Sequence, residues 1–449
     1  MIDLLKDLIL NSQELPFPKA YRRALHITTV PGKASVCVGV RRCGKSTFMR
    51  QIMQELVDGG VPRENMVHLN FSDERLFPAL ETGVIPVDEA YYQLYPEKKY
   101  KEKVYFFFDE IQLFSRWSLF IDRLMREENC EVYLTGSSAK LLSTEIATEM
   151  RGRSLAWEMF PFSFSEYVTS KGGDVSTRIS PSRRLFIQQY WEEYLERGGF
   201  PEVLFSEGSS EETAEVRIKI LQEYFRSILL CDVMERHAAA NSDLLRKLAH
   251  KLVNEPGCLF SVNKLLGDLK SQGVRTSHAT LSECLEWFED ACFFFFVPVF
   301  DASFGGRDKS PRKAYVIDHA LGTALGSGIL VNRGLALENI VFLALRRITK
   351  RLYYYKSETG KHEVDFVAVG QNSSRKILVQ VSESMSSPAT RKREISALCD
   401  ALKAPGLRQS EAFIVTRNER ETLSAEEGTI TILPAWDFLL KLEQGQIKI

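Results

Sequence analysis

The sequence predicts an α/β protein built around a parallel sheet, and three observations predict it. The apolar stretch "ASVCV" runs directly into "GVRRCGKSTFMRQ". A second apolar run, "KVYFFFDE", ends in two carboxylates. An amphipathic helical segment lies between them, and strands alternating with helices imply a sheet covered by helices.

Each element follows from its residues. "SVCVGV" is short, β-branched and apolar, as a buried strand requires. In "KSTFMRQIMQELVDGG", Phe48, Met49, Ile52, Met53 and Leu56 recur at helical spacing and Gly59 stops the run. Between the two, Gly39, Gly44, Lys45 and Ser46 satisfy G-x-x-x-x-G-K-[ST]. Loop amides and a helix N-terminus then face an anion. Lys45 is expected on the β and γ phosphates of ATP, and the Ser46 hydroxyl on Mg²⁺. The candidate binding segment is Gly39, Arg41, Arg42, Cys43, Gly44, Lys45, Ser46 and Thr47.

The run Val104 to Phe108 has the continuous apolar character of a central parallel strand. Asp109 and Glu110 fall at its C-terminal edge, where such sheets bind ligands. Asp109 is expected in the Mg²⁺ shell, and Glu110 is expected to orient and deprotonate the attacking water. "NMVHLNFSDER" ends near Asn70 and Asp73 on the same edge. "CEVYLTGSSAKLL" ends in Thr135, Gly136, Ser137 and Ser138. A small polar group there would sense the γ phosphate or place the water, with Ser137 the candidate and Ser138 its equal. Turn formation explains the same letters. Beyond it, Arg151 and Arg153 flank Gly152, and one of them is expected to meet transition-state charge.

The middle of the chain reads as mixed-charge helices packed on that sheet as a lid or connector. From "LLRKLAHKL" to "KAYVID" the rhythm is that of a winged helix, three helices followed by two strands. The third helix offers bases only Ser277, His278 and Thr280, and presents Glu283, Glu286, Glu289 and Asp290 to phosphates. The following "FGGRDKSPRK" is basic through Arg307, Lys309, Arg312 and Lys313. Phosphate contact with DNA through this wing is therefore expected, and base reading is not. A protein-contact module is the alternative.

Bulk properties narrow the classes. A formal net charge of -1 gives no global pull toward nucleic acid. The 8 cysteines form no CxxC pair, which suits reduced thiols in a cytoplasmic protein. Asp3 and Asp7 interrupt the apolar N-terminus, unlike a secretory signal. The longest apolar run, "ACFFFFVPVF", is too short to span a bilayer and contains Pro298.

"GVRRCGKST", "FFFDEIQ", "LTGSSAKLL", "RGRSLAWEMFPFSFSEY" and "YLERGGFPEV", followed by "ALENIVFLALRR", "LYYYK", "HEVDFVAV" and "ILVQVSES", together resemble a large prokaryotic family. Its members join an AAA-type P-loop ATPase domain to a C-terminal domain of unknown function. The resemblance covers nearly the whole chain. It implies ATP binding and hydrolysis, a winged-helix segment and a C-terminal fold similar to that of PD-(D/E)XK nucleases. It matches Arg41 and Arg42 to the family's Arg-Arg pair and Arg153 to its Gly-Arg motif, without saying whether Arg153 serves its own subunit or a neighbour in a homo-oligomer.

The implied layout is an AAA-type P-loop domain over 1–165, a helical lid or connector over 166–240, a winged helix over 241–325 and a PD-(D/E)XK nuclease-like α/β domain over 326–449. In the last, Glu338 and Asp365 occupy carboxylate positions, but Gln380-Val381-Ser382 stands where E-x-K is expected. An amide replaces one carboxylate and a hydroxyl replaces the lysine, with Glu363 as a spare acid. Glu338, Asp365 and Gln380 thus form a degenerate site, expected to hold a metal or phosphate weakly and not to cleave. The expected function is an ATPase coupling nucleotide state to DNA binding or remodelling, branched DNA included. The rivals are a signalling switch whose C-terminal half binds a protein, and an ATP-dependent nuclease.

Overall fold

In a computed structural model, which describes residues 1–78, 85–114, 116–136, 150, 152–173, 180–206, 211–237, 241–301, 310–326, 333–370 and 375–449, the chain forms two units. One comprises Met1–Phe160 with Asp290–Cys292, the other Pro161–Glu289 with Phe293–Ile449.

The first unit holds a five-stranded parallel sheet. Its strands are β1 (Ala34–Val38), β2 (Met66–Asn70), β3 (Val104–Asp109), β4 (Cys130–Gly136) and β5 (Ser154–Glu158), in the order β2-β3-β4-β1-β5. Side chains alternate between the faces of a strand, so the apolar run of β3 supplies two cores at once. Phe106 and Phe108 enter a cluster with Leu5 and Ile9 of helix Ile2–Glu14, Tyr91 of helix Val87–Leu94 and Ile121 of helix Trp117–Glu127. Phe107 points the other way and joins Met49 and Met53 of helix Lys45–Asp58. It stacks on Tyr133 of β4 at 4.7 Å between ring centroids. A central strand buried on both faces explains why "KVYFFFDE" carries no alternation.

The second unit begins with helices Phe164–Ser170, Pro181–Arg197, Pro201–Leu204 and Glu211–Ser227, the last continuing into a π-helical stretch at Ile228–Met234. These helices cluster with the C-terminal half of the chain. The Gly199 amide donates to Asp318 Oδ2 at 2.6 Å, and the Ser163 hydroxyl donates to Glu443 at 2.8 Å. Helices Ser242–Asn254, Val262–Ser271 and His278–Asp290 follow, with an antiparallel sheet of β6 (Leu259–Phe260), β7 (Phe294–Val297) and β8 (Arg312–Val316) in the order β6-β8-β7. The two-residue β6 carries too little pattern to be read from sequence.

After helix Arg333–Ile348 come β9 (Leu352–Lys356), β10 (Glu363–Val369), β11 (Lys376–Val381), β12 (Glu411–Thr416), β13 (Glu421–Ala425) and β14 (Gly428–Pro434). They form a mixed sheet ordered β13-β14-β12-β11-β10-β9, parallel across β11, β12 and β14. Helices Pro388–Lys403 and Ala435–Glu443 pack on it. Among the described residues, no helix is long and apolar enough to cross a membrane.

Candidate functional site

The loop between β1 and helix Lys45–Asp58 is shaped by close packing. A Cβ on Gly39 would lie 2.1 Å from the Met159 carbonyl oxygen, so only glycine fits where the chain leaves β1. Ser46 and Thr47 are exposed in the first helical turn, where free amides and the helix dipole favour an anion. Lys45 is only 5% exposed, and its Nζ donates to the carbonyls of Gly39 and Val40, each at 3.0 Å. Arg41, exposed Arg42 and buried Cys43 complete the loop, with Arg42 in the left-handed region at φ 66°.

Strand register brings the carboxylates to the same edge. Cys37 of β1 pairs with Thr135 of β4, and Phe108 of β3 pairs with Leu134, so Gly39, Thr135 and Asp109 all emerge at the C-terminal ends of their strands. Asp109 is buried and accepts a hydrogen bond from the Thr135 hydroxyl. The Glu110 amide donates to the same Thr135 oxygen at 3.2 Å. Glu110 sits at φ 53°, a conformation that costs a non-glycine residue about 1–3 kcal/mol and collects at functional sites. Gln112 Nε2 donates to its carboxylate. On β2, burial lowers the His68 imidazole to about 4, against the upward pull of Asp109, so this ring stays neutral. The oxygen donors Ser46 and Asp109 suit Mg²⁺, which takes hard oxygen ligands.

One residue of this site, Arg23, escaped the sequence, and Thr135 stands there without a role of its own. Thr135, at the end of β4, touches Asp109 and the Glu110 amide, whereas Ser137 and Ser138 lie outside the described residues. Arg23 is buried and donates from Nη1 to the Cys43 carbonyl at 2.9 Å and from Nη2 to the Phe160 carbonyl at 2.7 Å, propping the phosphate loop from below. It stands in an irregular segment with no periodic signal.

Arg153 is not at the phosphate loop of its own subunit. Its carbonyl accepts from the Ala34 amide at the start of β1, the opposite sheet edge, about 16 Å from Gly39 at 3.3 Å per residue. Its guanidinium pairs with Asp122 at 2.5 Å. Arg151 lies outside the described residues.

In the second unit, Gln380 lies beside Asp365, and Glu338, Glu363 and Asp365 gather around an ammonium. Lys313, expected in an exposed basic wing, is buried: its Nζ lies 2.7 Å from Asp365, 3.0 Å from Glu363 and 3.3 Å from Glu338. Arg312, its neighbour on β8, points to the other side and covers the rings of Phe260 and Phe296. Arg307 and Lys309 lie outside the described residues. Lys313 thus reaches these carboxylates from β8.

A family model described as an AAA domain matches residues 32–168, and two domains of unknown function, DUF8612 and DUF4143, match residues 188–333 and 333–438. An uncharacterized protein of Methanocaldococcus jannaschii is 33% identical, covering 98% of this chain and 96% of its own length. The chain belongs to that protein's family. This AAA-domain family member also resembles an uncharacterized protein of Haemophilus influenzae, at 31% identity over 74% of this chain and 78% of the relative. Among solved structures, the Walker-type ATPase PABY2304 of Pyrococcus abyssi aligns with TM-score 0.43 at 15% identity, covering 65% of this chain and 90% of that one. The Aeropyrum pernix Orc1 protein, solved in complex with DNA, aligns with TM-score 0.28 at 13% identity, covering 72% and 90%. The AAA-domain match and the strand–loop–helix at Gly39–Ser46 agree on a P-loop ATPase fold in the N-terminal unit.

Proposed function

We propose that the protein binds ATP with Mg²⁺ and hydrolyses it, and that turnover sets the state of the C-terminal half. The observation that carries this is the convergence of Lys45, Ser46, Asp109, Thr135 and Glu110 on one sheet edge. The loop amides and Lys45 bind the phosphates. Ser46 and Asp109 would hold Mg²⁺, which when bound neutralises phosphate charge. Glu110, fixed through its amide by Thr135 and through its carboxylate by Gln112, orients the attacking water and takes its proton. Since Arg153 stands at the far edge of its own sheet, its contribution is made to a neighbouring copy in a homo-oligomer.

The finer reading assigns 241–325 to a winged helix and 326–449 to a nuclease-like domain, with DNA as the partner. Three helices followed by a small antiparallel sheet support the first, and a mixed sheet with inward carboxylates supports the second. The burial of Lys313 removes one of the four cations expected to touch phosphates, leaving Arg307, Lys309 and Arg312. DNA-stimulated turnover that falls steeply with salt supports this partner; stimulation by a protein alone supports the signalling rival.

The deciding experiment is Glu110→Gln. ATP binding persists while turnover falls about 10²–10⁴-fold. Turnover at the wild-type rate overturns the assignment of the base. In the same assay, mixing Arg153→Ala with Lys45→Ala protein restores turnover if the arginine works across subunits.

A further inference from the structure

The nuclease-like reading implies a divalent metal held by Glu338, Asp365 and residue 380, and the donor set does not fit one. Four of the five candidate oxygens are already committed. Asp365 Oδ1 accepts from Lys313, and Oδ2 accepts from the Val381 amide at 2.9 Å. Glu338 Oε1 accepts from the Tyr315 hydroxyl at 2.7 Å and from Lys313. Gln380 Oε1 accepts from the Asp365 amide at 3.1 Å, while its Nε2 donates to Glu394 at 2.8 Å. Gly257 closes the Glu338 side: a Cβ there would lie 2.6 Å from the carboxylate, and φ is +76°. Among the described residues, no group of three or more His, Cys, Asp or Glu is arranged to hold a metal ion.

The place between the acids is taken by Lys313, whose side chain is 3% exposed. Burial opposes its charge, yet Asp365, Glu338 and Glu363 hold its pKa well above the ordinary value. An ammonium in this position does electrostatically what a metal does: it offsets carboxylates that cannot be left unpaired in a dry setting. It also has a mechanical effect that a free ion lacks, because Lys313 belongs to β8 of the three-stranded sheet while Glu363 and Asp365 belong to β10 of the six-stranded sheet.

We infer that Lys313 is a built-in cation in place of a divalent metal, tying the three-stranded sheet to the six-stranded one, and that once it is removed Glu338, Glu363 and Asp365, which are not arranged to hold a metal as they stand, close on a divalent cation. A cavity of about 290 Å³ adjoins these acids and is also lined by Lys361, His362 and Arg393. Three carboxylates without the ammonium form an oxygen-rich set of the kind that Mn²⁺ and Mg²⁺ prefer. This inference stands independently of ATP hydrolysis.

The test uses the full chain without nucleotide and Mn²⁺ as probe, followed by calorimetric binding and thermal unfolding. Wild-type protein and Asp365→Asn take up equal amounts of Mn²⁺. Lys313→Ala unfolds at lower temperature, gains one Mn²⁺ site and recovers stability with Mn²⁺, while Lys313→Ala/Asp365→Asn does neither. At a metal concentration one hundred times its dissociation constant, the folding equilibrium of Lys313→Ala shifts by about 100-fold. Wild-type Mn²⁺ binding that disappears in Asp365→Asn overturns the inference, as does a folded Lys313→Ala that ignores Mn²⁺. If Lys313→Ala does not fold even with Mn²⁺, the companion Lys313→Met/Glu338→Gln, which removes one charge of each sign, folds. Failure of that pair to fold also overturns it.

Discussion

Lys45 and Lys313 are both nearly inaccessible to water, and the bonds that hold them differ. Lys45 donates to two backbone carbonyls of its own loop, acceptors without formal charge. Lys313 faces three carboxylates drawn from a helix and a strand distant in sequence. A triphosphate arriving at the first can outcompete a carbonyl for the ammonium, because hydrogen bonds to charged acceptors are about twice as strong. An anion arriving at the second meets a cation already neutralised. A lysine ringed by carboxylates, as Lys313 is, acts as a structural tie.

Substitution separates the two roles. Removing Lys313 strands the carboxylates, and Lys313→Met is expected to destabilise the second unit by about 3–5 kcal/mol, read by chemical denaturation, with ATP affinity unchanged. A full-strength unfolding midpoint in that variant breaks the comparison. Lys45→Ala gives the reverse pattern: little loss of stability, and nucleotide binding about 10- to 150-fold weaker, from about 1.5–3 kcal/mol of lost charged hydrogen bonding. Equilibrium titration with a fluorescent ATP analogue checks it.

The smallest expected effect concerns pH. His68 titrates at about 4 in the fold against a usual 6.5, because burial disfavours its charged form. The neutral ring is the folded-state form, so its stabilising contribution is present above pH 6.5 and is lost as pH falls toward 4. Between pH 7 and 5 the wild type should lose about 1–2 kcal/mol more stability than His68→Gln. Equal losses would mean that the imidazole is hydrated and that this edge of the sheet is wetter than its packing indicates.

What the sequence disclosed was local. The P-loop fits within eight residues, and β3 announces itself by unbroken apolarity ending in Asp109 and Glu110. What it concealed depends on pairing. In "SPRKAYVID", Lys313 and Arg312 read as one basic patch, but alternate strand residues face opposite sides. Lys313 shares its side with Tyr315, and their common partner Glu338 is more than twenty residues away. Thr135 stands first in a row of three hydroxyls, and only its hydrogen bond shows that it meets Asp109. For the helices between 164 and 227, amphipathicity says that a face is buried and not against what.

The buried guanidinium beneath the phosphate loop has a practical corollary for dissection of the chain. The AAA match starts at residue 32, but the prop at Arg23 and the helix Ile2–Glu14, which seals one side of the sheet through Leu5 and Ile9, lie upstream. A fragment trimmed to the domain boundary would retain every motif residue and still lack the floor on which they rest.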